Sequence, residues 1–211
     1  MKKSRATADA RGWEELARLD PLWAVASSPQ LRHGKWDEEE FYEGGRRKVR
    51  KLMKRLDALG VPARAARTLD FGCGAGRLTL PLADHFDAVV GVDIAPSMLA
   101  LARMRAAGRP GLEFRLDETG DQSLLAGESF DLVYSGLVLQ HLPSVAAALA
   151  CLLHPMTMIC VPRERVEACV RGAGLAIVRT DERADGDIGS MTIYAARSSG
   201  PGLNASAGTS N

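Results

Sequence analysis

The sequence predicts an α/β fold built on a doubly wound, mostly parallel β-sheet. Four short apolar runs are typical of buried strands, at residues 68–71, 88–93, 112–116 and 130–135. The segments 76–85 and 96–107 carry helix signals, among them Pro96 in a first turn and Gly108 after the last. Short strands that alternate with helices favour a parallel sheet with helices on both faces.

The N-terminal third is predicted to be mainly helical. Residues 1 to about 10 are polar and expected to be loose, and a short helix through Trp13 and Leu16 should stop before Pro21. Apolar residues at helical spacing, with glutamates in the first turn, indicate a long helix over residues 37–59. The basic residues of this helix are interpreted as a solvated outer face, and a patch for an acidic substrate or RNA is the alternative.

The C-terminal part is predicted to add further helices and strands. Helices are expected at residues 145–153 and 163–172, and strands at 175–180 and 191–197 form an antiparallel hairpin around a loop at 181–189. The Gly, Ser, Ala and Pro residues of 198–211 predict a disordered tail. These patterns divide the chain into an N-terminal extension (1–35), a main domain (36–197) and the tail.

Composition and charge argue against several classes of function for this protein. The 211 residues carry a net charge of +1, which gives no broad electrostatic reason to bind nucleic acid or an anionic membrane. No apolar run reaches about 18 residues, and no secretory signal is evident, so a cytoplasmic protein is expected. The four cysteines form no CxxC pair, which argues against a metal site. The oligomeric state stays open.

The glycine-rich stretch after the first strand is the strongest site signal. Gly72, Gly74 and Gly76 let the backbone adopt positive φ and approach a ligand closely. Ligands of open α/β sheets bind beyond the carboxyl ends of the strands, and polar residues follow all four strands there. Those residues are Asp70 with the glycine turn, Asp93, Asp117, and Ser135 with Gly136.

The spacing of the glycines argues against a dinucleotide site. A dinucleotide fingerprint needs G-x-G-x-x-G, whereas here the glycines run G-x-G-x-G and Arg77 follows them. The lysine of a P-loop is missing as well. The turn is therefore better suited to an adenosine ligand without phosphates.

These segments resemble the class I S-adenosylmethionine-dependent methyltransferases. Residues 69–77 (LDFGCGAGR) look like the family's first motif, 90–99 (VGVDIAPSML) like its second, and 130–142 (FDLVYSGLVLQHL) like its fourth-strand motif. The resemblance covers about residues 36–154 by motif and reaches 197 by topology. It implies a Rossmann-like sheet in the order 3-2-1-4-5-7-6, with strand seven antiparallel and an N-terminal helical lid.

The resemblance also implies roles for individual residues. It implies that Asp70, Gly72, Gly74 and Gly76 hold the methionine part of the cofactor. Cys73 is counted with the cofactor-binding residues and is expected to pack under the turn. Asp93 is implied to hold the ribose, with Ile94 and Met98 near the adenine and Asp117 and Glu118 at its edge. Ser135, Gly136 and Leu137 are implied to line the sulfonium. Tyr42 is expected to fold over the cofactor as a lid, and simple packing of Phe41 and Tyr42 is the alternative.

The segment after Pro155 departs from the family pattern. The family usually has Lys/Arg-Pro-Gly-Gly before a fifth strand, but here residues 153–155 run directly into 156–161. Either residues 156–161 supply the fifth strand or that strand is missing, and the first interpretation is favoured.

The implied activity is transfer of a methyl group from S-adenosylmethionine to an O or N atom of a small molecule, with S-adenosylhomocysteine as the product. His141 is the candidate base, and capping or packing of the turn at 140–143 is the alternative. Two other functions stay open: a cofactor-binding protein without catalysis, and a protein or RNA methyltransferase. The sequence does not identify the acceptor.

Overall fold

The computed structural model describes residues 3–58, 67–118, 123–125, 128, 130–136, 138, 175–185 and 188–197. The chain divides into two compact units, residues 1–135 and 136–211. Several predicted features lie outside the described residues: the helices at 145–153 and 163–172, the fifth strand at 156–161, and the tail at 198–211.

The first unit holds five α-helices and four strands among its described residues. The helices are α1 (Lys3–Leu19), α2 (Pro21–Val25), α3 (Glu38–Ala58), α4 (Thr79–Leu82) and α5 (Pro96–Arg105). The strands are β1 (Arg67–Phe71), β2 (Ala88–Asp93), β3 (Leu112–Leu116) and β4 (Leu132–Ser135). Short 3-10 helices occupy Pro29–Leu31 and Ser123–Leu125.

The four strands form one parallel sheet in the order β3-β2-β1-β4. This confirms the predicted parallel α/β fold and its first four positions. The chain leaves β1 towards β2 on one side and returns to β4 on the other, so the strand order reverses between β1 and β4. Ligands of doubly wound sheets bind at this kind of reversal, beyond the carboxyl ends of the strands.

Helices α3 and α5 pack against this sheet. Val49 and Leu56 of α3 are buried in a cluster with Val89 and Leu132. Leu99 of α5 is buried beside Phe41 and Phe114 in a second cluster. Strand β2, whose four central residues are buried, shows the nearly continuous apolar run that is typical of a strand covered on both faces.

Helix α1 corrects the expectation for the N-terminus. It begins at Lys3, although residues 1 to about 10 were predicted to be loose. Three alanines, at positions 6, 8 and 10, favour a helix there, and no proline interrupts the segment. Polarity alone therefore gave the wrong prediction.

Helix α4 is shorter than predicted. It spans Thr79–Leu82, whereas the pattern indicated residues 76–85. Gly76 has a φ of 78°, which an α-helix does not allow. Pro81 lacks an N–H group, so the carbonyl of Arg77, four residues earlier, has no helical donor. These two residues explain why the helix begins later than predicted.

The second unit contains a long antiparallel hairpin, β5 (Leu175–Asp185) paired with β6 (Ile188–Arg197). The hairpin was predicted, but most of the predicted loop at 181–189 is strand. The ladder continues through pairs such as Glu182 with Met191, and it shifts register between Ile177 and Arg179. The hydrogen bonds between paired strands are made by the backbone, and no proline interrupts this stretch. Residues with charged side chains can therefore take part in the ladder.

A glycine pair inside α3 lets the helix approach the start of α4. A Cβ atom on Gly45 would lie 2.1 Å from the Arg77 carbonyl oxygen, and one on Gly44 would lie 2.4 Å from the Arg77 guanidinium. Gly45 therefore packs against the same carbonyl that lacks a helical donor because of Pro81. This close approach accounts for two glycines in a helix interior, where each costs about 1 kcal/mol relative to alanine.

Candidate functional site

The glycine-rich turn after β1 is fixed by backbone hydrogen bonds. The N–H groups of Gly72 and Cys73 both donate to the Val92 carbonyl, at 2.8 and 3.0 Å. The Gly76 N–H donates to the Cys73 carbonyl at 3.0 Å. The turn is thereby tied to the end of β2 and closed upon itself.

All three positions of the turn require glycine, which has no side chain. Gly72, Gly74 and Gly76 have φ values of 76°, 53° and 78°. A Cβ on Gly74 would also lie 2.5 Å from Val25 Cγ2, so the α2 segment packs directly on the turn. The predicted positive φ values are confirmed, and the turn carries no side chains at these positions.

Asp93, at the end of β2, reaches across to the same turn. Its carboxylate accepts the Gly74 N–H at 2.8 Å and the Ala95 N–H at 2.9 Å. Burial raises the pKa of Asp93, although these backbone bonds favour the charged form. One carboxylate thus fixes both the glycine turn and the loop that leads into α5.

Asp117 and Ser135 lie at the ends of the neighbouring strands. The Asp117 N–H donates to the Asp93 carbonyl at 2.9 Å, so the ends of β2 and β3 lie side by side. Asp117 is buried, whereas Glu118 is exposed. The Ser135 hydroxyl, on the other side of β1, is buried and has no hydrogen-bond partner in the part of the chain that the structure describes. The carboxyl edge therefore carries polar groups on both sides of the turn.

Asp70 is buried beneath the turn, at 2% exposure. The Thr79 hydroxyl donates to its carboxylate at 2.6 Å. Burial raises the pKa of Asp70 to about 6, and the neighbouring Asp93 charge adds to this, while Thr79 and Lys48 oppose it. A second carboxylate therefore lies close to that of Asp93.

Replacing Asp70 with asparagine should stabilise the protein at pH 7 and not at pH 4. The pKa of Asp70 rises from an ordinary 3.8 to about 6 on folding, so the native state binds more protons than the unfolded state between these values. The wild type therefore gains stability as the pH falls through 6 towards 4. Asparagine avoids the buried charge and still accepts the Thr79 hydroxyl, so its unfolding free energy at pH 7 should rise by up to about 3 kcal/mol.

Thermal or urea unfolding of both proteins at pH 4 and pH 7 measures this difference. The control is Asp84→Asn, because Asp84 lies in an exposed pair with Arg109. That variant should differ from the wild type by less than about 0.5 kcal/mol at either pH. A gap between Asp70→Asn and the wild type that stays the same at both pH values would show that Asp70 does not hold the proton.

Cys73 is a buried free thiol inside the turn. Burial raises the pKa of Cys73 well above its ordinary value, and the charges of Asp93 and Asp70 act in the same direction. Its Sγ atom also packs 3.0 Å from where a Gly91 Cβ would lie. The neutral thiol fills space beneath the turn, and a thiol held neutral is a poor nucleophile.

The remaining predicted residues fall into three groups. Met98 is buried in a cluster with Ala17, Ala75 and Ala95, and Ile94, which directly precedes Ala95, is half-buried. Tyr42 is buried, and its hydroxyl donates to the Ala75 carbonyl at 3.0 Å. Gly136 directly follows β4 and is half-buried, while Leu137 and His141 lie outside the described residues.

The N-terminal segment contributes contacts that the sequence motifs did not indicate. The Glu14 carboxylate accepts the Ser97 N–H at 2.9 Å and the Ser97 hydroxyl, which joins α1 to the start of α5. Asp20 accepts the N–H groups of His33 and Gly34, at 2.6 and 3.1 Å, and so holds the loop that precedes α3. These contacts depend on tertiary placement, which no local pattern records.

The described residues offer no evident metal site. No group of three or more His, Cys, Asp or Glu side chains that could hold a metal ion occurs among the residues that the structure describes.

None of the described helices is both long enough and apolar enough to cross a membrane.

Comparisons with known proteins point in one direction. Residues 69–153 match the sequence profile of a family described as "Methyltransferase domain". A ubiquinone biosynthesis O-methyltransferase of Paracidovorax citrulli is 31% identical over 144 residues, which are 66% of this chain and 60% of that protein. A trans-aconitate 2-methyltransferase of Deinococcus radiodurans is 44% identical over 98 residues, 45% of this chain and 35% of the relative. The chain thus spans less than two thirds of the length of either relative.

A solved structure shows the same fold. The magnesium protoporphyrin IX methyltransferase of Synechocystis, crystallised with bound S-adenosylmethionine, superposes with a TM-score of 0.68. The superposition covers 90% of this chain and 97% of the other at 21% identity. This likeness confirms the Rossmann-like α/β architecture.

Proposed function

This chain belongs to the class I S-adenosylmethionine-dependent methyltransferase family, and on that premise we propose that it transfers a methyl group from S-adenosylmethionine to a small molecule. The acceptor atom is an oxygen or nitrogen nucleophile. The protein is proposed to act in the cytoplasm, with residues 36–197 as the catalytic domain and 1–35 as an extension over it.

The residues at the carboxyl edge fit this cofactor. The glycine turn presents backbone without side chains at positions 72, 74 and 76, all three with positive φ. We assign the methionine part to this turn, from Gly72 to Gly76, and the ribose hydroxyls to the Asp93 carboxylate. Met98 and Ile94 are assigned to the adenine ring, Asp117 and Glu118 to its polar edge, and the backbone at 135–137 to the sulfonium.

The observation that carries the proposal is the sign of the charge at this edge. Asp70 and Asp93 lie close together at the turn, and Asp117 follows at the end of the neighbouring strand β3. The Arg77 guanidinium instead donates to the Phe41 carbonyl. The cation that acts on Asp70 is Lys48, whose own pKa is lowered by burial. Asp93 would suit the ribose of either cofactor. The buried Asp70 carboxylate beneath the turn, however, repels a pyrophosphate and attracts a cationic sulfonium. The site therefore favours S-adenosylmethionine over a nicotinamide cofactor.

The chain's contribution to the reaction is mainly positioning. When bound, S-adenosylmethionine supplies an activated methyl group on a sulfonium that is already a good leaving group. The turn and Asp93 hold one end of the reacting pair, and the protein must hold the acceptor in line with the methyl group, which can be worth an effective concentration of ~10^5 M or more. His141 is proposed as a base for acceptors that must lose a proton.

Incubation with S-adenosylmethionine and acceptor sets of three classes tests this function. Phenols, carboxylic acids and amines should be offered in turn, and formation of S-adenosylhomocysteine measured by mass spectrometry. Turnover with at least one class is expected. Tight binding of the cofactor without turnover in any class would contradict catalysis and favour a binding protein.

A further inference from the structure

Helix α3 and the glycine turn exchange two hydrogen bonds between side chains and backbone. The Tyr42 hydroxyl donates to the Ala75 carbonyl at 3.0 Å, and Arg77 Nε donates to the Phe41 carbonyl at 2.9 Å. Each element thus supplies one side-chain donor and one backbone acceptor. Phe41 is the neighbour of Tyr42, and Ala75 lies two residues before Arg77. The contact is therefore reciprocal.

Both anchors flank Gly76, the last positive-φ residue of the turn. The peptide between Ala75 and Gly76 is fixed at each end, because its carbonyl accepts from Tyr42 while its N–H donates to the Cys73 carbonyl. A peptide plane next to glycine rotates easily unless both of its polar groups are bound. Tyr42 therefore supplies the constraint that the turn cannot supply for itself.

The surroundings of Tyr42 hold its hydroxyl in place. Its ring is packed edge-on against Phe41, with 5.0 Å between ring centroids, and the Arg105 guanidinium lies 4.6 Å from the centroid of the Tyr42 ring. Burial raises the pKa of Tyr42, which keeps the hydroxyl protonated as a donor. Gly44 and Gly45 form a notch in α3, a place without side chains, where the helix comes close to Arg77. This close approach lets the two hydrogen bonds form.

We propose that Tyr42 is a positioning residue for cofactor binding, acting through the Ala75 carbonyl to keep the glycine turn in its binding shape. This inference rests on the proposed function, and it replaces the role of a lid that closes over the cofactor. Pre-ordering a binding loop raises affinity because the ordering cost is met before the ligand arrives. Loss of the hydroxyl should therefore weaken cofactor binding even though the ring stays packed.

The test compares Tyr42→Phe with a matched core variant of the same helix, Val49→Ala. Val49 is buried between α3 and the sheet, in a cluster separate from that of Tyr42. The two substitutions should both lower the melting temperature, since one leaves a buried carbonyl without its donor and the other opens a cavity. Binding of S-adenosylhomocysteine is measured by calorimetry for the wild type and both variants.

We expect Tyr42→Phe to raise the dissociation constant about tenfold, the equivalent of one buried hydrogen bond, and Val49→Ala to leave it within about twofold. Affinity that is unchanged in both variants, or weakened equally in both, would overturn the positioning role, because binding would then be independent of the turn or would follow stability alone. If the wild type itself fails to bind, the proposed function fails, and this inference fails with it.

Discussion

Replacing Asp93 with alanine should raise the dissociation constant for S-adenosylmethionine at least about a hundredfold. The carboxylate makes two charge-assisted hydrogen bonds to the backbone, to Gly74 and Ala95, and in the proposed complex it also accepts the ribose hydroxyls. Hydrogen bonds to charged groups contribute about 1.5–3 kcal/mol each, and about 1.4 kcal/mol corresponds to a factor of ten in affinity. The substitution removes both the ligand contact and the support of the turn.

Two further variants separate these effects in the same calorimetric titration. Asp93→Asn keeps the shape of the side chain and one acceptor oxygen, so its affinity should lie between those of the wild type and Asp93→Ala. Asp84→Ala removes an exposed carboxylate that pairs with Arg109, and it should bind like the wild type. An Asp93→Ala protein that binds as tightly as the wild type would show that the ribose assignment is wrong.

The glycine notch of α3 gives the second large effect. Gly45→Ala should lower the unfolding free energy by about 2–3 kcal/mol, because the new methyl group would lie 2.1 Å from the Arg77 carbonyl oxygen. Neither partner can move cheaply, since one is a helix backbone and the other is the carbonyl next to the glycine turn. Urea denaturation measures the change.

Gly12→Ala is the matched control, because it places the same methyl group in another helix interior. Nothing lies within 4 Å of a Cβ on Gly12 among the described residues. There the higher helix propensity of alanine should raise stability by about 0.5–1 kcal/mol. Opposite signs for the two substitutions are expected. A Gly45→Ala protein that gains stability as Gly12→Ala does would show that α3 and Arg77 are not in close contact.

The strands and the ligand edge were predictable because both leave local signals. Strands buried on two faces give continuous apolar runs, and the acidic residues that follow them in sequence must meet at the carboxyl edge of a parallel sheet. The positive φ of Gly72, Gly74 and Gly76 was predictable as well, since glycine is the default residue where a tight turn needs that conformation. Asp70, Asp93 and Asp117 could therefore be predicted as site residues from their positions relative to successive strands in the sequence.

The contacts that hold the turn in place were not predictable in the same way. In the sequence, Arg77 is only a residue that breaks a dinucleotide fingerprint, yet its side chain and its carbonyl both contact α3. Two adjacent glycines in the middle of an otherwise strong helix are a signal of close approach that apolar periodicity does not register. The partner of that approach could not be named, because it depends on which face α3 presents to the sheet.

Two wrong predictions concern segments that were expected to be irregular, residues 1 to about 10 and the loop at 181–189. Residues 3–10 are helical, and residues 181–185, four of which are charged, are paired in a strand. Backbone hydrogen bonds form in both segments regardless of the side chains, provided that no proline intervenes. Hydrophobic periodicity identifies helices and strands that bury an apolar face, and it says little about those that need not bury one.

Titration of the wild-type protein with S-adenosylmethionine, S-adenosylhomocysteine and NADH tests the central claim most directly. That claim is that the acidic carboxyl edge around the glycine turn binds a methionine-and-adenosine cofactor without phosphates. One-to-one binding of the first two ligands and no binding of NADH is the predicted result. Binding of NADH, with no heat from either S-adenosyl compound, would contradict the assignment of this site.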